Sequence, residues 1–394
     1  MDDGPHRAVT DDAHELPPNG DPSPSFRAAA VQAAPVFLDR DATIEKLDGL
    51  VADAAAGGAR LVVLGESFVP AFPLWNLIHA PMDQHRFFRS LYEQALLVPG
   101  PHSERIGAIA RQHGVFLSVG VTERSPISMG GLYNTNLLFD PSGALINRHR
   151  KLVPTWAEKL TWAPGDASQL RPAETEIGRI GVLICGENTN TLARYALLAQ
   201  GEQVHLASYP PAWPFRRAAG AAGDPDAEHG SGGRHYSLTR AIEIRTGAHA
   251  FEGKVFNIAA SVALDERSIE IAAGGDRRAE EALRQAPQAV SMIVHPSGEL
   301  CADPLVGGEG IVFADIDLGD SIEEKQAHDI VGHYQRFDIF RLQVDRRPQE
   351  PIELLGDDRR AVPAPAAQVD GPTLEARERA AAAGADPGEG AHGG

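Results

Sequence analysis

The chain has 394 residues, 43% apolar and 23% charged, with a formal net charge of −18. That balance suits a large buried core, and the acidic surplus excludes a broad nucleic-acid face; the local basic patches, His149-Arg150-Lys151 and Arg216-Arg217, are short. Two cysteines, Cys185 and Cys301, give no disulfide framework, no Cys/His set has metal-like spacing, and no apolar run nears the ~20 residues that span a bilayer, so a cytoplasmic protein without membrane contact is expected.

Residues 1–25 open Met1-Asp2-Asp3 and are rich in Asp, Pro and Gly. They carry no hydrophobic period and no basic-then-apolar signal, and are expected to form a disordered tail. Residues 28–32 read as a first strand. Ile44, Leu47, Leu50, Val51 and Ala54 then recur on one helical face, which Gly57-Gly58 ends. Leu61-Val62-Val63-Leu64 is an apolar run suited to a buried strand. A helix over 103–113 and a strand over 115–121 follow. Leu137-Leu138-Phe139, Asp140-Pro141-Ser142-Gly143 and Ala144-Leu145-Ile146 read as a hairpin. Residues 180–184 form another buried strand, and Leu192, Tyr195, Leu198 and Ala199 mark the helix after it. Residues 218–233, dense in Gly, Ala and Asp, read as a surface loop over a pocket or against another subunit. Further strands are expected over 255–261, 289–294 and 311–317. His295-Pro296-Ser297-Gly298 echoes the first hairpin turn, which suits two similar half-layers. A folded domain over 26–344 and a mostly disordered tail over 345–394, with a short helix at 373–383, complete the chain. Helix, sheet, sheet and helix layers fit this order, as does a three-layer α/β fold.

Three chemically active side chains sit where strands end. Glu66 follows Leu64 in Gly65-Glu66-Ser67, Lys151 follows the hairpin, and Cys185 follows Ile184, just before Gly186. In open α/β sheets, ligands gather beyond the carboxyl ends of strands. A thiol must lose its proton to attack. A carboxylate can take that proton, and an ammonium group can hold the negative charge that develops. Glycine at 186 lets a backbone N–H approach the reacting centre. Singly, each residue has a plain reading: a packed cysteine, a capping glutamate, a surface lysine. Cys301 has no such setting and reads as structural.

The stretch Ile184-Cys185-Gly186-Glu187-Asn188-Thr189-Asn190-Thr191-Leu192-Ala193-Arg194-Tyr195, continued by Ala199-Gln200-Gly201-Glu202-Gln203-Val204-His205, resembles the nucleophile motif of nitrilases. His149-Arg150-Lys151-Leu152-Val153-Pro154-Thr155-Trp156-Ala157-Glu158, with Trp162-Ala163-Pro164-Gly165-Asp166, resembles their lysine motif. Gly65-Glu66-Ser67-Phe68, Pro70 and Phe72-Pro73 resemble their glutamate motif. Cys185 follows Lys151 by 34 positions, as the family leads one to expect. The resemblance continues through Gly247-Ala248-His249, Val255-Phe256-Asn257, residues 311–317 and Gly332-His333-Tyr334, and covers residues 26–344. It implies a single-domain four-layer αββα sandwich, a Glu66-Lys151-Cys185 triad, and a second glutamate, Glu158, that orients Lys151 or the substrate. It also implies hydrolysis of a nitrile by water through thioimidate and thioester intermediates, with no metal or organic cofactor. The family forms dimers that stack into spirals, so a homo-oligomer is expected. Many nitrilases carry Trp after the cysteine; Gly186 departs from that and bears on substrate preference. Trp156 and Trp213 are candidate substrate contacts. The competing readings are an amidase or N-carbamoyl amidohydrolase, a cyanide-degrading enzyme, and an inactive scaffold or filament protein of the same fold.

Overall fold

In strand β1 (Ser25–Gln32) successive side chains sort into different apolar clusters. Ala29 and Val31 join one, Ala28 and Ala30 the other, as the two-residue period of a strand dictates. The computed structural model describes residues 23–214, 237–349 and 352. The strands that follow are β2 (Leu61–Leu64), β3 (Phe116–Arg124), β4 (Leu132–Phe139), β5 (Leu145–Arg150), β6 (Ala173–Thr175), β7 (Gly178–Ile184), β8 (Val204–Tyr209), β9 (Phe256–Ser261), β10 (Val290–Val294), β11 (Leu305–Val306) and β12 (Gly310–Asp317). The helices are α1 (Arg40–Ala56), α2 (His85–Gln94), α3 (Pro101–His113), α4 (Thr191–Leu198), α5 (Leu238–Gly253), α6 (Glu266–Ala273), α7 (Arg277–Gln285) and α8 (Asp320–Ala327).

One sheet runs β12-β1-β2-β3-β4-β5 and the other β11-β10-β9-β8-β7-β6. Each has three central parallel strands, β1-β2-β3 and β7-β8-β9, flanked by antiparallel partners. The sheets face each other through Ala28, Ala30, Leu61 and Val63 on one side and Val182, Leu206, Ile258 and Ala260 on the other. On the outer face of the first sheet, α1 packs with Ile44, Leu47 and Val51, and α3 with Ile106 and Ala110. Leu238, Ile242 and Ala250 of α5 cover the second sheet against Ala207, Ala259 and Met292. The layers are therefore helix, sheet, sheet, helix, which decides against the three-layer alternative.

The two turns that echo each other in sequence both reverse the chain. Asp140-Pro141-Ser142-Gly143 joins β4 to β5. At the second, the His295 N–H bonds the Glu299 carbonyl at 2.8 Å and Val294 bridges Leu300. Among the described residues, no helix is long and apolar enough to cross a membrane. Among the described residues, regular structure ends at Ala327, but the chain still touches the body near the expected boundary: the Gln349 N–H reaches Asp166 Oδ2 at 3.0 Å. The loop expected at 218–233, the helix expected at 373–383 and residues 1–22 lie outside the described residues.

Candidate active site

Glu66 sits on the turn directly after β2, wholly buried. Its N–H donates to the Tyr209 carbonyl at the end of β8 (3.1 Å), so the turn is tied to the opposite sheet. Lys151 follows β5, and its N–H extends the ladder to the Asn134 carbonyl at 2.8 Å. Cys185 follows β7 as the first residue of a 3₁₀ turn, Cys185–Thr189, at φ +49°. A non-glycine residue there carries backbone strain of roughly 1–2 kcal/mol. The α-helix that follows starts at Thr191, with two of its first N–H groups capped by Asn190. The thiol therefore sits on a single tight turn rather than at an α-helix end. Glu158 lies on a second 3₁₀ turn, Trp156–Leu160.

These strand ends bring the four side chains together. The Lys151 ammonium donates to Glu66 Oε1 and to Glu158 Oε2, each at 2.7 Å. Asn134 Nδ2 also donates to Glu66 Oε1 at 2.7 Å, and the Thr155 N–H to Glu158 Oε2 at 2.7 Å. One carboxylate oxygen from each glutamate and the Cys185 sulfur all lie within 4.8 Å of one another. The remaining oxygens, Glu66 Oε2 and Glu158 Oε1, are buried without a hydrogen-bond partner. Unpaired buried oxygens are costly, and here they are free to take a proton or to meet a ligand.

The electrostatics follow from this packing. Burial alone lowers the Lys151 pKa, but Glu158 and Glu66 outweigh it and hold the ammonium charged. Burial, and the charge of Glu66, push Glu158 up to about 7 against the pull of Lys151. Burial raises the Cys185 thiol well above its usual range, and Glu66 adds to the rise; Lys151 and Arg245 pull down less strongly. Lys151 does favour the thiolate, as its charge leads one to expect, but it is outweighed. The resting thiol keeps its proton, so a base must remove it as attack begins.

Gly186 has a steric reason. A Cβ at that position would fall 2.5 Å from Thr155 Oγ1, so the lysine loop packs on the bare backbone after the thiol. Trp213 is buried in the same apolar cluster as Cys185, its ring 6.1 Å from Phe72, which in turn meets Trp162 at 5.5 Å. Trp156 is two-thirds exposed (66%) at φ +46°. A second buried trio, Glu202, His205 and His249, also brings metal-ligand-type atoms within 4.8 Å. Cys185 and Cys301 are both free thiols.

The family model for carbon–nitrogen hydrolases matches residues 27–326. The chain belongs to that family. Within it, the chain sits on the nitrilase branch: it is 36% identical to a nitrilase from Paraburkholderia phymatum, across 83% of this chain and 88% of that one. It is 33% identical to an aliphatic nitrilase from Rhodococcus rhodochrous, across 83% and 85% of the two chains. Among solved structures, a carbon–nitrogen hydrolase from Helicobacter pylori superposes with a TM-score of 0.60 at 19% identity, covering 80% of this chain and 97% of that one. That likeness supports the αββα fold.

Reading the sequence singles out Glu66, Lys151, Glu158, Cys185 and Gly186, and these five converge. It gives no role to Asn134, although two asparagines in the otherwise apolar-rich strand Leu132–Phe139 are a usable signal, since buried polar groups need partners. His149, Glu187, Asn188, Glu202, His205 and His249 lie within or beside the motifs, but the sequence alone carries no sign of their work.

Proposed function

We propose that this chain is a nitrilase that converts an organic nitrile and water to a carboxylic acid and ammonia, with Cys185 as nucleophile. One observation carries the reading: a buried thiol lies beside two carboxylates that share a single ammonium group. Glu66 takes the thiol proton as sulfur attacks the nitrile carbon and passes it to the nitrile nitrogen, which gives a thioimidate. Water adds to that carbon, its proton passing through Glu66 to the nitrogen, and Lys151 stabilises the tetrahedral species. Ammonia leaves with a proton that Glu66 relays from the new hydroxyl, and a thioester remains. A second water, deprotonated by Glu66, releases the acid and restores the thiol. Glu158 fixes Lys151 through their 2.7 Å bond. Gly186 and Trp213 shape the substrate side, and Trp156 borders the entrance.

A second copy of the chain is the partner this reading carries, supported by large apolar side chains left exposed from Tyr334 to Ile352. Tails at 1–25 and 345–394 flank a working domain at 26–344. A free nucleophilic thiol suits a reducing cytoplasm.

The test is ammonia release from phenylacetonitrile, mandelonitrile, benzonitrile, an aliphatic dinitrile, cyanide and the matching amides, with Cys185→Ala beside the wild type. Release from nitriles that the variant loses by more than about 1,000-fold supports the proposal. Release from amides alone assigns the chain to amide hydrolysis, and a Cys185→Ala variant with undiminished turnover ends the mechanism.

A further inference from the structure

Two buried polar arms grip the turn that carries Cys185, and neither touches the reacting atoms in the scheme above. The first arm is the Glu187 carboxylate. It accepts the Leu152 N–H at 2.5 Å, the Ile184 N–H at 2.7 Å and His149 Nε2 at 3.0 Å. Leu152 adjoins Lys151 and Ile184 adjoins Cys185, so one carboxylate sets the distance between the ammonium and the thiol. The second arm is Asn188. Its Nδ2 donates to the Cys185 carbonyl at 3.2 Å and the Leu183 carbonyl at 3.3 Å. Those two acceptors fix the amide orientation, so Oδ1 must face His205, whose Nε2 lies 2.8 Å away.

Behind Asn188 the arm continues inward. His205 Nδ1 meets Glu202 Oε1 at 2.7 Å, and His249 Nε2 on α5 donates to Glu202 Oε2 at 2.8 Å. Both ring nitrogens of His205 thus face side-chain oxygens, one of Asn188 and one of the Glu202 carboxylate. His149, Glu187, Asn188, Glu202, His205 and His249 are each at most 5% exposed. Buried polar networks of this kind contribute little stability relative to apolar packing. Their bonds end on the peptide groups around a strained residue, Cys185 at φ +49°.

We propose that Glu187 with His149, and Asn188 with His205, Glu202 and His249, are positioning residues that hold the Cys185 thiol in register with Lys151 and Glu66. Loss of either arm lowers turnover and leaves substrate affinity nearly intact. A displacement of about 1 Å at a reacting centre costs on the order of 100-fold in rate.

The inference rests on Cys185 as the reacting thiol, and the experiment separates that reading from the clamp. Glu187→Gln and Asn188→Asp, made in the full chain, each keep shape and exchange one terminal atom between donor and acceptor. Glu187→Gln sets an NH₂ group against a donor, and Asn188→Asp sets an oxygen against two carbonyls. Steady-state kinetics use the best nitrile of the panel above, and iodoacetamide alkylation of Cys185 is followed by mass spectrometry on the folded fraction. The expected result is a fall of about 100-fold in kcat with KM within about threefold, and a slower alkylation rate in both variants. Wild-type kcat per folded chain together with unchanged or faster alkylation overturns the clamp. Failure of both variants to fold also overturns it, because the arms would then serve the fold alone. If the wild type hydrolyses no nitrile, slower alkylation in the variants still supports the clamp while the nitrilase reading fails.

Discussion

At the scale of single residues, Lys151 carries one positive charge between two buried carboxylates, and the imbalance falls on Glu158. Burial first, and Glu66 second, raise the Glu158 pKa to about 7 from its ordinary value near 4.5. A carboxyl group raised in the folded state stabilises the fold fully below about 4.5, and that contribution fades as pH rises through about 7. The stabilisation at stake is on the order of 3 kcal/mol. Glu158→Gln removes the titration. The melting temperature of the wild type minus that of Glu158→Gln should therefore shrink by several degrees between pH 5 and pH 8. A difference that stays constant or grows across that range would show that Glu158 is not held partly protonated. Glu66, Lys151 and Cys185 were legible because they stand where strands end, and Glu158 only through its place in the lysine motif. Asn134 and the histidine arms were not, since a polar residue inside a strand or helix declares a partner only when the partner's place is known.

At the scale of elements, the position of Glu66 depends on two glycines that permit close backbone approach rather than unusual torsions. A Cβ on Gly120 in β3 would lie 2.4 Å from the Gly65 carbonyl oxygen and 2.4 Å from the Ser67 nitrogen. A Cβ on Gly65 would lie 2.5 Å from the Val262 nitrogen. Backbone atoms cannot rotate away as a side chain can, so Gly120→Ala must push the turn that carries Glu66. It should destabilise the fold by about 1–3 kcal/mol and reduce activity per folded chain. Gly49→Ala is the control: nothing lies within 4 Å of its Cβ on helix α1, so it should be neutral or stabilising by about 0.5–1 kcal/mol. Equal melting temperatures and activities for Gly120→Ala and wild type would contradict the close approach. Legibility at this scale followed pattern strength. Leu61–Leu64 was bounded correctly because four apolar residues stand between breakers. Helix α5 escaped because small residues such as Gly247 and Ala248 blur its apolar face, and α7 because only Ala279 and Leu283 reach the core.

At the scale of the whole molecule, the sandwich covers both outer sheet faces with its own helices, yet apolar surface remains. Leu192 on α4 and Ile244 and Phe251 on α5 are at least half exposed. Tyr334, Phe337, Ile339 and Phe340 are more than half exposed along a segment, 334–349, that holds no helix or strand. Exposed apolar side chains in one continuous segment mark a surface that another chain covers, and a second copy supplies the same surface by symmetry. The 42.0 kDa chain should therefore sediment as a dimer or larger. Replacing Phe337, Ile339 and Phe340 together by serine should shift the mass toward that of one chain, because it removes apolar area from the contact and none from the core. A wild type that sediments as a single chain at micromolar concentration would remove the reason for the exposed segment. A triple variant that keeps the wild-type mass would place the contact on the α4–α5 face instead.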